Sequence, residues 1–188
     1  MRWASRLVAW FFGTRHQAVS ANTDVSIIPG GPGVAEVQAV TTKRRATEPC
    51  TLWPVTNTDR RRKLWCGPTV VSTLIGIDAA VARDIIKESR GGRAVMGTSA
   101  RELDLVFRAH GCRLDLLTDH SSDLPTFASW LRLPRDPDHA LVVQVTGHWV
   151  AVRGNWFCDT FTKGQPVRVR HAPHKRKRVR RVYRVSRL

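Results

Sequence analysis

The sequence predicts an α+β domain in which helices come first and antiparallel strands follow. Three stretches of roughly ten residues before position 111 carry apolar residues at helical spacing, and each ends at a glycine. After position 139 the pattern changes to short valine-rich runs separated by turn residues, which is typical of paired strands. Hydrophobic residues make up 42% of the 188 residues, enough to bury a core, so a wholly disordered chain is excluded.

Four helices are predicted from start and stop signals. The first opens at Cys66 and closes at Gly76, because a proline just inside a helix and a glycine just past it are favoured. The second has Asp78 as its cap, and the third begins with the capping box of Ser99 and Glu102. The expected helical ranges are 66–75, 79–89, 99–111 and, as a short fourth element, 126–131.

Three strands are predicted in the second half of the chain. Residues 140–145 are rich in β-branched side chains and indicate a buried strand. Residues 148–153 and 156–160 flank Gly154-Asn155, which is a two-residue hairpin signal. Two antiparallel strands joined by a tight turn are therefore expected here.

This hairpin fixes the relative positions of two polar residues. With a two-residue loop, Asp159 lies across from Val150. Side chains alternate along a strand, so His148 shares a face with Val150 and becomes a diagonal neighbour of Asp159. Cys158 then points to the opposite face, where we expect it to pack in the core.

The net charge of +16 is carried by the two ends of the chain. Residues 1–65 contain ten basic and four acidic residues, residues 66–162 ten and eleven, and residues 163–188 eleven and none. A protein that gripped nucleic acid over its folded face would spread this charge through its body. We therefore expect an N-terminal extension and linker that is partly disordered or packed on a partner (1–49), a globular domain (50–170) and a basic C-terminal segment (171–188).

Membrane insertion and secretion are not expected. No apolar run approaches the roughly 18 to 20 residues that a membrane span needs. The apolar stretch at residues 7–12 is shorter than the core of a secretory signal, and Arg15 follows it closely. Free thiols would suit a reducing cytoplasm.

The basic C-terminal segment has two interpretations. Three valines and a tyrosine are interleaved with arginines from position 178 to 185, which favours an edge strand that its charge protects from further pairing. The same charge would contact phosphates of nucleic acid or another anionic surface. The candidate contact residues are Lys175, Arg176, Lys177, Arg178, Arg180 and Arg181.

Cys66, His148 and Asp159 form a candidate catalytic set. A thiol at a helix N-terminus feels the positive end of the dipole, and a neighbouring imidazolium lowers its pKa further, so the nucleophilic thiolate is favoured. His148 would be its proton partner, and Asp159 would orient the imidazole. Each residue alone also has an ordinary role, as a core thiol, a satisfied histidine or a turn acceptor. No C-x-x-C pair is present, and neither a metal nor a cofactor is predicted.

Two segments resemble a known family. Residues 64–72 (Leu-Trp-Cys-Gly-Pro-Thr-Val-Val-Ser) are similar to the nucleophile helix of papain-like cysteine peptidases. The closest branch is that of the double-glycine-leader peptidases of bacteriocin exporters and their phage-encoded relatives. Residues 147–152 (Gly-His-Trp-Val-Ala-Val), followed by Asp159, are similar to that group's histidine strand and acid. The resemblance implies a papain-like fold with Cys66 as nucleophile, His148 as base and Asp159 as orienting residue.

The resemblance extends over residues 64–162 and departs from the family at one position. The family usually has a glutamine six residues before the nucleophile, where it donates to the oxyanion, and here that residue is Arg60. The nearest upstream amide is Asn57. Asn57, Arg60 and the backbone N–H of Cys66 are therefore the candidate oxyanion donors.

The resemblance implies a cysteine peptidase that cleaves a peptide or isopeptide bond of a protein substrate through a covalent acyl-enzyme. It also points to a phage-encoded protein, which would work in a host cytoplasm or a virion. The same triad serves acyltransferases, and the sequence does not choose between water and an amine as acceptor. The alternative is a non-catalytic basic protein, structural or associated with nucleic acid, that keeps the fold.

Overall fold

The computed structural model describes residues 52–59 and 63–188. In this part of the chain, helices precede most of the strands and the strands form one antiparallel sheet, so the expected α+β class is confirmed. The helices are α1 (Cys66–Ile75), α2 (Ala79–Ser89), α3 (Ala100–Ala109) and α4 (Phe127–Trp130). The strands are β1 (Cys112–Asp119), β2 (Ala140–Val145), β3 (His148–Arg153), β4 (Trp156–Cys158), β5 (Val167–Arg168) and β6 (Val179–Arg187). The expected N-terminal extension, 1–49, lies outside the described residues.

The helix signals in the sequence are confirmed. α1 ends at Gly76, whose φ of 74° is a left-handed conformation that glycine adopts without steric cost. The side chain of Asp78 accepts the N–H of Ala80 at 2.7 Å and caps α2. Ser99 and Glu102 form the reciprocal capping box of α3. All but the two end residues of α1 are buried, which makes it the central helix of the domain.

The β3–β4 hairpin has the register that its two-residue loop predicts. Arg153 pairs with Trp156, and Ala151 pairs with Cys158. Cys158 is fully buried in the core, as its position on the strand indicates. Asp159 therefore takes the next position along the chain, beside the beginning of β3.

The strands are ordered β1-β6-β2-β3-β4-β5, so β6 is an internal strand and the expectation that it forms an edge is wrong. The actual edges are β1 and β5. Arginines are tolerated inside the sheet because carboxylates of β1 lie beside them. Arg181 Nε is 3.0 Å from Asp119, and Arg184 Nη2 is 3.7 Å from Asp115. The structure thus joins the basic C-terminal segment to the domain, whose compact unit continues to Leu188.

Apolar side chains pack on both faces of the sheet. Helices α1 to α3 cover one face, and α4 lies on the other. Buried residues of the first cluster include Val70, Val71, Leu74, Val142 and Ala151. Buried residues of the second cluster include Phe127, Trp130, Val143, Val150 and Phe157. Among the residues described above, no helix combines the length and the apolar character that crossing a membrane requires.

An ion pair between Arg90 and Glu102 joins the end of α2 to the start of α3. Arg90 Nη2 donates to Glu102 Oε2 at 2.8 Å and to the carbonyl of Gly97 at 2.6 Å. Glu102 also accepts the N–H of Ser99 at 2.7 Å. The hydrogen bonds from Arg90, with those from Ser99, outweigh partial burial and lower the pKa of Glu102 to about 2. The pair therefore holds residues 97–99 against α3.

Replacing Glu102 with Gln is expected to lower the free energy of unfolding by about 1 kcal/mol, because the ion pair with Arg90 is lost. The loss is modest because the pair is partly exposed and solvent screens it. The folded-state pKa of Glu102, about 2, lies below the ordinary value of 4.5. The stabilisation that ionised Glu102 provides is therefore present at pH values above 4.5, and it is lost as the pH falls toward about 2. Urea denaturation at neutral pH and near pH 3 measures this. The difference between wild type and Glu102→Gln should shrink in acid, and an unchanged difference would contradict the assignment.

Candidate active site

Cys66 is the first residue of α1 and is half-buried. Its sulfur is hydrogen bonded to the ring of His148 and to the backbone N–H groups of Trp149 and Gly67. The residue before it, Trp65, is extended and makes no side-chain capping bond to the helix. The sulfur therefore lies where backbone donors and the helix dipole stabilise a negative charge.

His148 is the first residue of β3 and follows a tight turn at Gly147, whose φ is 68°. The ring is buried, and its Nε2 lies 3.0 Å from Asp159 Oδ2. The ring is also hydrogen bonded to Cys66. Because Asp159 occupies Nε2, the contact with the sulfur is assigned to Nδ1. The imidazole thus bridges the thiol and the carboxylate.

Asp159 is fully buried directly after β4. Its Oδ1 accepts the backbone N–H groups of Phe161 and Thr162, each at 2.9 Å, while Oδ2 faces His148. These bonds offset the cost of burying a carboxylate and fix its orientation. The structure therefore brings together the three residues that the sequence singles out, with His148 and Asp159 in the diagonal contact that the hairpin predicts.

The electrostatics of Cys66 and His148 are coupled. Burial would raise the pKa of Cys66, but the hydrogen bonds from His148, Trp149 and Gly67 and the charge of His148 together lower it. Burial would lower the pKa of His148, but its hydrogen bonds to Asp159 and Cys66 and their charges together raise it. Both directions favour a thiolate beside an imidazolium, which is the reactive form of a catalytic cysteine.

Cys66 and His148 line a cleft of about 430 Å³. One wall is the segment 96–98, which two contacts hold in place. Trp149 Nε1 donates to the carbonyl of Thr98 at 2.7 Å. The side chain of Thr98 packs closely against Gly67. A Cβ added at Gly67 would lie 2.6 Å from the Thr98 Cβ. The wall is thus fitted to the start of α1. Trp65, Met96, Gln144, Trp149 and Thr160 also line the cleft.

Of the oxyanion candidates from the sequence, the backbone N–H of Cys66 belongs to a residue that lines this cleft. Asn57 is not among the residues that line it, and Arg60 lies outside the described residues. Gln144 of β2 does line the cleft. Its partner on β3 is Trp149, whose backbone N–H reaches the Cys66 sulfur. The sequence could have pointed to Gln144, because it is the one polar residue in a strand that is otherwise apolar.

His174 is a second residue that the sequence did not single out. Its Nε2 lies 3.7 Å from Asp159 Oδ2, and its ring packs edge-on against Phe161 at 4.0 Å between centroids. Burial, with the positive charge of Lys177, lowers the pKa of His174. Of the candidate anion contacts, Arg181 pairs with a carboxylate of β1, Lys177 is half-buried, and the others are exposed: Lys175, Arg176, Arg178 and Arg180.

One group of described residues has ligand atoms close enough to hold a metal ion. The group is His148, Asp159 and His174, and its atoms lie within 4.8 Å of one another. His148 and Asp159 are hydrogen bonded directly at 3.0 Å. A bond of ordinary length accounts for the approach of these two side chains without an ion.

Comparison of the chain with protein-family models, with curated proteins and with solved structures finds no match. The structure itself shows an α+β fold with one antiparallel sheet. A function is therefore inferred from the geometry around Cys66 and from the two motifs that resemble a peptidase.

Replacing Gly67 with Ala is expected to cost about 1–3 kcal/mol of folding free energy and to slow alkylation of Cys66, because the new Cβ overlaps Thr98 and displaces the wall. Chemical denaturation and labelling by iodoacetamide measure the two effects. The double variant Gly67→Ala/Thr98→Gly removes the overlapping atoms and should recover most of both losses. Recovery of neither would contradict this view of the wall.

Alkylation of Cys66 by iodoacetamide is expected to stay fast at pH values where an ordinary thiol is protonated. The pKa of Cys66 lies below its usual 9.0, so the thiolate persists as the pH falls from that value and is lost only below the lowered one. The rate of Cys66 alkylation is measured at a series of pH values by peptide mass spectrometry, with glutathione as the reference thiol. His148→Ala should return the profile toward that of glutathione. Identical profiles for wild-type Cys66 and glutathione would be the contrary result.

Proposed function

We propose that the protein is a papain-like cysteine peptidase that hydrolyses a peptide or isopeptide bond through a covalent acyl-enzyme. The observation that carries this proposal is the linked contact of Cys66, His148 and a fully buried Asp159, with 3.0 Å between the ring and the carboxylate. The resemblance of residues 64–72 and 147–152 to the double-glycine-leader peptidases supports the same activity.

In the first half of the reaction, the Cys66 thiolate attacks the carbonyl carbon of the scissile bond. A carbon–sulfur bond forms, and the carbonyl electrons move to oxygen. When the tetrahedral intermediate collapses, the carbon–nitrogen bond breaks and the His148 imidazolium gives its proton to the leaving amine. Asp159 keeps the imidazole oriented and stabilises its charged form.

In the second half, His148 takes a proton from water while the water oxygen attacks the acyl carbon. The carbon–sulfur bond breaks, the carboxylic acid product leaves, and the thiolate–imidazolium pair is restored. The buried Asp159 needs no change of protonation in either half, since it acts on the ring alone.

Donors to the developing oxyanion would come from the start of α1 and from β2. Pro68 has no N–H, and the N–H of Gly67 is directed to the sulfur, which leaves the N–H of Cys66 from the first turn. Gln144 is the side-chain amide that lines the same cleft. We assign these two groups to the oxyanion in place of the upstream glutamine of the family.

The alternative is a non-catalytic basic protein that keeps this fold. Its support is the exposed cationic side chains near the C-terminus. It leaves the triad without a role, because burying a carboxylate against a histidine and a thiol is an expensive way to stabilise a core. The peptidase therefore explains more of the buried structure.

The test is labelling by a thiol-directed activity probe, read by mass spectrometry of the whole protein and its peptides. Wild type should be modified at Cys66 far faster than at Cys50, Cys112 or Cys158. His148→Ala should slow this labelling by about 10²-fold or more, because the proton partner is lost. Asp159→Asn should slow it as well, since a neutral amide lacks the negative charge that stabilises the His148 imidazolium beside the thiolate.

Two further variants make the test specific. Cys112→Ser should label like wild type, because the Cys112 thiol takes no part in the site. Gln144→Ala should keep the labelling rate of Cys66 but lower turnover of a peptide substrate by about 10²-fold, the usual effect of losing one oxyanion donor. Equal labelling of all four cysteines, or labelling that does not depend on His148, would count against the peptidase.

A further inference from the structure

We propose that the substrate carries acidic residues on the leaving-group side of the scissile bond, where a basic loop, residues 174–178, receives them. This inference rests on the proposed peptidase function and adds the chemical class of its substrate. The loop contains one histidine followed by four consecutive cationic residues, and it leads directly into β6.

The basic loop is tied to the surroundings of the catalytic histidine at both ends. At one end, the His174 ring lies 5.4 Å from the His148 ring between centroids and 3.7 Å from the Asp159 carboxylate. At the other end, Thr146, two residues before His148, donates its N–H to the carbonyl of Arg178 at 2.9 Å. The loop is therefore a fixed neighbour of the reaction site.

Backbone hydrogen bonds hold the middle of the basic loop. The N–H of Lys177 donates to the carbonyl of His174 at 2.8 Å and closes a turn. The carbonyls of Lys175 and Lys177 accept N–H groups from Ala128 and Phe127, at 3.0 and 2.7 Å. Cationic side chains carried by a backbone that is held in place bind an anion at a lower entropic cost than the same side chains on a mobile tail.

The cations of the basic loop have no carboxylate partner within the described part of the chain. Lys175, Arg176 and Arg178 are exposed, and no acidic residue follows Asp159 in the sequence. Lys175 donates instead to a backbone carbonyl at 2.9 Å, and Arg178 to another at 2.9 Å. This differs from Arg181 and Arg184 of β6, which face carboxylates of β1. The unmatched charge therefore concentrates next to His148, where it attracts an anionic group.

The chemistry of the site sets the side of the substrate that meets the basic loop. His148 must reach the leaving nitrogen to protonate it, so the chain that follows the scissile bond passes on the side of this ring. Phe161 and His174 are neighbours of this ring, with ring centroids 5.3 and 5.4 Å from that of His148. Phe161 is 62% exposed, and its ring contacts both the His148 ring and the His174 ring at the start of the basic loop, so it offers an apolar surface beside them. The residues after the scissile bond thus come within reach of Lys175 and Arg176.

A peptide fits this surface better than a nucleic acid does. Binding to phosphates generally uses a longer stripe or face of cations. Here Arg181 and Arg184 of β6 are already paired with Asp119 and Asp115, so beyond the loop the cationic stripe is interrupted after the exposed Arg180. The loop begins at His174, whose ring lies 5.4 Å from that of His148, and His148 lines the cleft that holds the nucleophile, where a peptide must lie to be cleaved.

The test is cleavage-site profiling of a proteome-derived peptide library by mass spectrometry with wild type, Arg176→Glu and Arg187→Glu. Both arginines are exposed and both variants change the charge equally. Arg187 lies eight residues beyond Val179, about 26 Å along β6, and is the matched control. Wild type should show roughly fivefold enrichment of Asp and Glu in the first positions after the scissile bond. Arg176→Glu should lose this enrichment, and Arg187→Glu should retain it.

Each outcome separates this inference from the proposed function. Cleavage by wild type without acidic enrichment, or equal loss in both variants, overturns the inference and leaves the peptidase standing. If wild type cleaves no peptide, the proposed peptidase function is wrong. The binding of acidic chains is then tested by measuring whether they protect Cys66 from iodoacetamide. Poly-L-glutamate should then slow alkylation in wild type and Arg187→Glu but not in Arg176→Glu. Absence of protection, or stronger protection by single-stranded DNA, overturns the inference.

Discussion

The contact between His148 Nε2 and Asp159 Oδ2 is the interaction on which the site depends. The two-residue loop of the β3–β4 hairpin decides which residues meet at its open end. A slip of one residue would turn His148 to the other face of the sheet. The buried carboxylate would then keep the two N–H groups of Phe161 and Thr162 but lose its third partner. Stability and site geometry therefore select the same register.

Charge is coupled from Asp159 through His148 to Cys66, and this coupling explains why ionisable groups tolerate burial. The carboxylate and the sulfur raise the pKa of His148 against the effect of burial, while His148 and two backbone N–H groups lower the pKa of Cys66. A buried ion pair contributes little net stability, because desolvation cancels much of the attraction. Shifted pKa values of this kind in a cleft are typical of functional sites, and the proposed activity would use them.

Local sequence signals predicted what depends on neighbours in the chain, including the caps of α1 to α3 and the contact of His148 with Asp159. They did not predict β1, because its adjacent leucines, Leu116 and Leu117, are both exposed and give no alternation. Without β1, the internal place of β6 could not be seen, since valines interleaved with arginines also suit an edge. His174 was missed for a similar reason, because only a non-local turn brings it to Asp159.

Two residues with unusual backbone conformations flank the buried carboxylate. Lys163 and His174 have φ values of 54° and 62°, which cost a non-glycine residue about 1–2 kcal/mol each. Lys163 belongs to the turn that follows Asp159, and that turn is closed by the N–H of Gly164 donating to the Asp159 carbonyl at 3.0 Å. The left-handed backbone of His174 lies where its ring meets the same carboxylate at 3.7 Å. Strain that persists on two sides of one buried group indicates that both turns are shaped to enclose it. The C-terminal residues that begin at His174 are therefore part of the architecture of the site, and their charge acts from a fixed position.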